Sequence, residues 1–300
     1  MKYLLAAGVS GLVLAACGGA ETTSSAAAPE TATQVADTAP EAVVDPIETV
    51  LAGAWRSDEN KARDASRHPK ETLEFFEVSG DETLIEIYPG GGWYTEVLAP
   101  LINAGGGTYI AANFGNAERD AQFLERFADE TVFGPITVTA LTPESEAMVE
   151  GNSVDTVLSF RNVHNWMGRG YEKKVLEDVY TALKPGGVFG LVEHRLPSSA
   201  DQDPRAGSGY VHEDYMINLA KEVGFELGGT SEINANPKDT ADHPFGVWTL
   251  PPVSATTDRD GNAPEDFDAQ KYLDIGESDR FTLKFVKPLE TASASEGDGS

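Results

Sequence analysis

From Glu82 onward the chain alternates short apolar runs with longer amphipathic stretches. "ETLIEIY", "TYIAANF", "ITVTAL", "VDTVLSF" and "VFGLVEHRL" are compact and rich in β-branched and aromatic residues, and each predicts a strand. Between them lie "YTEVLAPLINA", "ERDAQFLERFA" and "YEKKVLEDVYTALKPGG", whose apolar positions recur at helical spacing. Pro185-Gly186-Gly187 is expected to end the last of these helices. "HEDYMINLAKEVGF" predicts a further helix, and "ELGGTSEI" and "RFTLKFVKP" predict two final strands. The alternation implies an α/β fold: a doubly wound, mostly parallel, seven-stranded Rossmann-like sheet with right-handed crossovers.

The flanks read differently. Ile47 to Phe76 predicts N-terminal helices, the first opened by Asp45 as cap and Pro46 at the first helical position. Residues 234–278 form a long insertion before the last strand. If the strand preceding it is parallel to the others, the insertion starts at the edge where open α/β sheets bind ligands. It is then placed either as a lid or as a surface excursion.

Residues 1–16 combine a basic start with a short apolar run and end in "LVLAA" directly before Cys17, the only cysteine of the chain. This resembles a bacterial lipoprotein signal, with Cys17 as the lipidated residue. Residues 17–45 are rich in Ala, Thr, Ser and Pro and predict a tether; 46–288 is the folded domain, and 289–300 is a polar tail. The resemblance implies a lipid anchor in the bacterial cell envelope, facing the periplasm. Gly18 and Gly19, with no aspartate there, favour the outer membrane. A formal charge of −27 argues against nucleic acid as a partner.

Gly90-Gly91-Gly92 follows the first strand and precedes a helix. Three successive glycines at such a junction let the backbone turn tightly or approach a ligand. "EIYPGGG", the strand "VDTVLSF", "LKPGG" before a fifth strand, and the closing "FTLKFVKP" occur in this order. Together they resemble the class I S-adenosylmethionine-dependent methyltransferases, and more closely a group of exported "predicted methyltransferases". The likeness covers Glu71 to Pro288.

The resemblance implies S-adenosylmethionine as cofactor and a small-molecule substrate. Glu86 matches the acid that ends strand one, near the methionine end of the cofactor. Gly90 and Gly92 match the last two glycines of the family's loop, with Gly91 between them, and Tyr88 stands where the first would be. Asn113 stands where an acid after strand two accepts from the ribose. Thr142, Pro143 and Glu144 stand where the adenine contact follows strand three.

The chemistry-bearing side chains gather at predicted strand ends. "FRNVHNW" offers Arg161, Asn162, His164 and Asn165; "EHR" offers Glu193, His194 and Arg195; and "GYVHED" offers Tyr210, His212, Glu213 and Asp214. His164 is the expected general base, because its ordinary pKa lies near working pH. Glu193, His194 and Arg161 are the other catalytic candidates. Arg195, Tyr210, His212 and Asn165 are the substrate-binding candidates, with arginines suited to a carboxylate or phosphate.

Two other classes stand beside methyl transfer. One is an exported ligand-binding module that keeps the fold without that chemistry. The other is a metal-dependent enzyme using Glu193, His194, His212, Glu213 and Asp214, although no paired-histidine helix motif supports a metal.

Overall fold

The computed structural model describes residues 44–289. The signal, Cys17, the tether up to residue 43 and the tail from 290 lie outside the described residues. No helix among the described residues is long and apolar enough to cross a membrane.

Seven strands form one sheet: β1 (Thr83–Ile87), β2 (Thr108–Asn113), β3 (Ile136–Ala140), β4 (Val154–Phe160), β5 (Leu183–His194), β6 (Glu226–Ser231) and β7 (Arg280–Val286). Their order is β3-β2-β1-β4-β5-β7-β6. β1 to β5 are mutually parallel, and β7 runs antiparallel to both β5 and β6. This is the doubly wound, mostly parallel sheet that the alternation of runs predicts. The order reverses at β1, where such sheets bind ligands outside the strand carboxyl ends.

Successive residues of β1 explain why the sheet is covered on both faces. Leu84 packs into one apolar cluster, with Val97, Leu98 and Ile102 of helix α5 (Thr95–Gly105). Ile85 and Ile87 enter the other, with Val163 and Trp166 of α8 (Val163–Arg169) and Val175 and Leu176 of α9 (Glu172–Ala182). Side chains alternate across a strand, so consecutive apolar residues such as Leu84 and Ile85 fit a strand buried on both sides.

The remaining helices complete the two outer layers. Four short ones precede the sheet: α1 (Pro46–Leu51), α2 (Asp58–Ala62), α3 (Asp64–Arg67) and α4 (Pro69–Phe75). The Asp45 side chain caps α1, accepting from the Ile47 N–H at 2.8 Å. α6 (Ala117–Arg126) and α7 (Glu130–Phe133) lie between β2 and β3, and α10 (Glu213–Val223) lies between β5 and β6.

One local expectation needs correction. The helix expected to be ended by Pro185-Gly186-Gly187 already ends at Ala182, and the chain passes straight into β5. Leu183 pairs with Val154 but Val188 pairs with Thr156, so Lys184–Gly187 bulge out of the ladder, with Gly186 at φ 84°. The polar stretch after β4 contains α8.

β6 is parallel to β1–β5, so the insertion from Asn234 starts at their carboxyl edge. It carries a 3-10 turn (Gly246–Thr249) and α11 (Ala269–Ile275). Antiparallel β7 then begins at that same edge, where Arg280 pairs with His194.

Candidate functional site

A cavity of about 450 Å³ opens above the carboxyl ends of β1, β4 and β5, a size typical of small-molecule sites. Its floor is the turn from Glu86 to Gly91 together with Phe160–Asn162. Asn60, Arg63, Arg67 and Trp93 form one wall. The insertion supplies a roof through Val247, Trp248 and Leu250–Val253.

His164 enters from the first turn of α8. The α8 start is fixed by Glu193, whose Oε2 accepts from the Val163 N–H at 2.5 Å. Glu193 Oε1 accepts from the His194 N–H at 2.8 Å and lies 3.1 Å from His164 Nδ1. A carboxylate accepts only, so Nδ1 carries the proton and Nε2 keeps the lone pair. Glu193 is fully buried and does not line the cavity. Expected from the sequence as a catalytic residue, it stands behind His164 and not against the cavity.

His194 lines the cavity 5.5 Å from His164, ring centre to ring centre, and its Nδ1 meets Ser278 Oγ at 2.5 Å. Burial holds its pKa well below the ordinary histidine range, and His164, Arg161, Arg280 and Arg67 add to this. His194 is therefore neutral at working pH.

Donor atoms of His164, Glu193 and His194 lie within 4.8 Å of one another, close enough to suggest a cation site. Both Glu193 oxygens, however, already accept N–H groups. The neighbouring guanidiniums repel a cation from the same place. The arrangement suits an oriented imidazole, and the other donors expected for a metal, His212, Glu213 and Asp214, line a separate hollow.

Glu86 lines the cavity from the end of β1. Its Oε2 accepts from Thr95 Oγ1 at 2.9 Å and Tyr109 Oη at 2.5 Å. Burial pushes its carboxyl up to about 7, with both hydrogen bonds opposing the rise. Gly90 and Gly91 also line the cavity, at φ 58° for Gly90, and a β-carbon on either would meet nothing closer than 3.9 Å. Gly92 lies away from it: a β-carbon there would sit 2.3 Å from the Phe127 ring. The expected glycine floor therefore consists of two glycines, and the third lets α5 approach its neighbours.

Beside this cavity, the strand ends of β2 and β3 are closed. Tyr88 leaves β1 with φ 48° and is buried. Its ring stacks on Phe114, just past β2, at 3.8 Å. Its hydroxyl donates to the Leu141 carbonyl, just past β3, and lies 2.8 Å from Tyr171 Oη. Asn113, expected to accept from a ribose, does not line the cavity; its Nδ2 donates to Asp120 Oδ1 at 3.0 Å. Thr142 Oγ1 accepts from the Ser145 N–H at 2.9 Å. Neither Asn113 nor Thr142, at the positions the resemblance assigns to the ribose and adenine contacts, lines the cavity, so the residues around it do not fit S-adenosylmethionine as the resemblance implies.

The substrate-binding candidates lie outside the cavity. Asn165 is exposed on α8, whereas its neighbour Asn162 lines the cavity and donates to the Ile87 carbonyl at 3.0 Å. Tyr210 is fully buried and bonds both oxygens of Asp239 at 3.1 Å. Arg195 and His212 line a separate, smaller hollow with Glu213 and Asp214, where Arg195 meets Glu232 at 2.8 Å. Of the candidates quoted after β4 and β5, only Arg161, Asn162, His164 and His194 reach the cavity.

Sequence reasoning missed the wall. Arg63 and Arg67 stand four residues apart in "RDASR", and Trp93 follows the glycines directly. That spacing marks one helical face but does not tell which face of the sheet the N-terminal helices cover. Glu277 and Ser278 come from the chain entering β7.

No protein-family model matches the chain, and no curated protein matches its sequence. Solved structures do resemble it. The [4+2]-cyclase SpnF superposes with a TM-score of 0.51 at 13% identity, covering 79% of this chain and 85% of its own. An S-adenosylmethionine-dependent methyltransferase from Aquifex aeolicus gives 0.48 at 14% identity, covering 81% and 99%. An arsenic(III) S-adenosylmethionine methyltransferase from Chlamydomonas reinhardtii gives 0.47 at 15% identity, covering 81% and 73%. The chain has the class I methyltransferase-like fold.

Proposed function

We propose that this chain is a methyltransferase-like protein that binds a small molecule in the crevice above β1, β4 and β5 and exchanges a proton with it at His164. In this reading no adenosine is held at β2 and β3. The observation that carries it is the Tyr88 ring, stacked on Phe114 and bonded to Leu141 and Tyr171 across both strand ends.

Within the crevice the roles follow from the bonds. Glu193 holds the proton of His164 on Nδ1, so Nε2 is the atom that takes one from a bound molecule. The buried carboxylate then stabilises the imidazolium. Trp248 packs edge-on to the His164 ring at 6.0 Å and roofs it, which limits water at the imidazole. The fold leaves the chemistry open, since a protein of this shape is named for cyclisation and not for methyl transfer. The resemblance of residues 1–16, directly before Cys17, to a lipoprotein signal supports the same reading. A lipid-anchored, periplasm-facing domain, with the outer membrane as the proposed site, lies outside the compartment where S-adenosylmethionine is made.

A second reading is S-adenosylmethionine-dependent methyl transfer to a small molecule. It is favoured by Glu86, Gly90 and Gly91 lining the cavity, and it requires Tyr88 to leave its place. Calorimetry of the native protein with S-adenosylmethionine and its demethylated product decides between the two. The first reading expects no heat at millimolar ligand, and mass spectrometry of natively purified protein should find another co-purified molecule. Micromolar binding of either compound overturns it in favour of the second.

A further inference from the structure

Four arginines surround one acid at the wall of the crevice. Glu277 Oε1 accepts from Arg63 Nε at 2.9 Å, and its Oε2 accepts from Arg67 Nε at 3.0 Å and Arg280 Nη1 at 3.1 Å. Arg161 Nη1 stands 3.8 Å from the same Oε2. Four guanidiniums against one carboxylate leave three positive charges without a counter-ion inside the cluster. Arg280 is satisfied elsewhere, by the Ser278 and Ser66 carbonyls. Arg67 is not: its side chain is 3% exposed, and its buried Nη1 has no hydrogen-bond partner. Arg63 likewise keeps a buried, unpartnered Nη2.

An uncompensated group of like charges is costly in a partly desolvated place. The strain is visible on Arg67, whose pKa is lowered to about 9, first by burial and then by Arg161, with Glu277 opposing and Arg63 and Arg280 adding. Arg63 and Arg161 are each about a quarter exposed, and with Arg67 they line the cavity. Among the described residues, the acids lining it are Glu277, already shared among the arginines, and Glu86, which its surroundings push towards neutrality. The fourth lining arginine, Arg126, is bound to Glu96 at 3.0 Å. Beside the guanidiniums the walls are apolar, with Trp93 packed against Arg67 at 4.6 Å and Phe160 stacked on Tyr94 at 3.5 Å.

We infer that Arg63 and Arg161, backed by Arg67, form a receptor for an oxyanion group, so that the molecule bound in the crevice is an apolar or aromatic carboxylate or phosphate. This rests on the small-molecule reading of the crevice and names the class it takes. The anion supplies the missing counter-charge, and the forked guanidiniums match its paired oxygens. The apolar body lies against the tryptophans, within reach of His164.

The test is calorimetry of the whole protein with benzoate, phenyl phosphate and neutral benzyl alcohol. The expected result is binding of one or both anions, with the alcohol weaker by about tenfold or more. Whichever anion binds more tightly tells carboxylate from phosphate. Arg161→Gln and Arg63→Gln should each weaken that anion by about tenfold, while Arg195→Gln, in the separate hollow, should leave it unchanged. Arg63 is partly exposed, so the second variant keeps the test valid if Arg161→Gln fails to fold. Equal binding of the alcohol overturns the receptor and leaves the small-molecule reading standing. No binding of either anion to folded protein also overturns it. S-adenosylmethionine bound in competition with the anion would keep the receptor and remove the reading it rests on.

Discussion

Two halves of one sheet edge meet at β1 and are finished in opposite ways. Above β2 and β3, Tyr88, Phe114, Leu141 and Tyr171 fill the space with rings and close their hydroxyls on each other and on a carbonyl. Above β4 and β5, the polar groups stay open to a cavity: His164, His194 and a cluster of arginines. The same glycine turn borders both. What separates them is one side chain at position 88, where the family's loop has a glycine and this chain has a tyrosine at φ 48°. A β-carbon in that backbone region costs about 1–2 kcal/mol. The stacked ring offsets this through its burial, with about 0.5–1.5 kcal/mol more from the aromatic pair.

The largest test of this contrast empties the closed half. Tyr88→Ala keeps the backbone strain and removes the ring, and a buried aromatic lost to alanine costs about 3–5 kcal/mol. Chemical denaturation should read that loss. Millimolar adenosine should raise the melting temperature of Tyr88→Ala and leave the native protein unmoved. If the native protein responds equally, the two halves are not distinct.

A second test acts on the border. The folded Glu86 carboxyl is raised from 4.5 to about 7, chiefly by burial. A raised carboxyl favours the neutral form in the fold. Its stabilisation is complete below the unfolded value near 4.5 and is lost as pH rises through about 7. The drop is on the order of 3 kcal/mol for such a shift. Glu86→Gln cannot ionise, so the stability difference between native protein and variant should shrink or reverse across that window. A constant difference from pH 4 to 8 would mean that the Glu86 carboxyl titrates alike in the folded and unfolded states.

The contrast also marks what the sequence could tell. Short, largely apolar runs alternating with amphipathic stretches made the sheet legible. His164, His194 and Arg161 were legible because strand ends of a parallel sheet share one edge. Asn113 and the third glycine were misplaced for a common reason: a motif assigns positions, but neighbours decide what reaches them. Asp120 claims the first, and Phe127 crowds the second. The spacing of Arg63 and Arg67 marked a helical face and no more, since nothing local tells which strand end a short N-terminal helix will cover.

The smallest effect separates two glycines of one turn. Gly90 and Gly92 both have positive φ, 58° and 78°, so alanine at either costs about 1–2 kcal/mol in backbone strain. Only at Gly92 would the new carbon strike a ring, Phe127 at 2.3 Å, adding an overpacking penalty of about 1–3 kcal/mol. Gly92→Ala should therefore be the less stable variant by that margin in denaturant titration. Ligand affinity should rank them the other way. At Gly90 the added carbon stands beside the cavity, so the benzoate or phenyl phosphate that binds native protein should bind Gly90→Ala more weakly and Gly92→Ala normally. Unchanged affinity in Gly90→Ala would mean that this glycine, too, serves the turn alone, and that the open half begins only at Arg161.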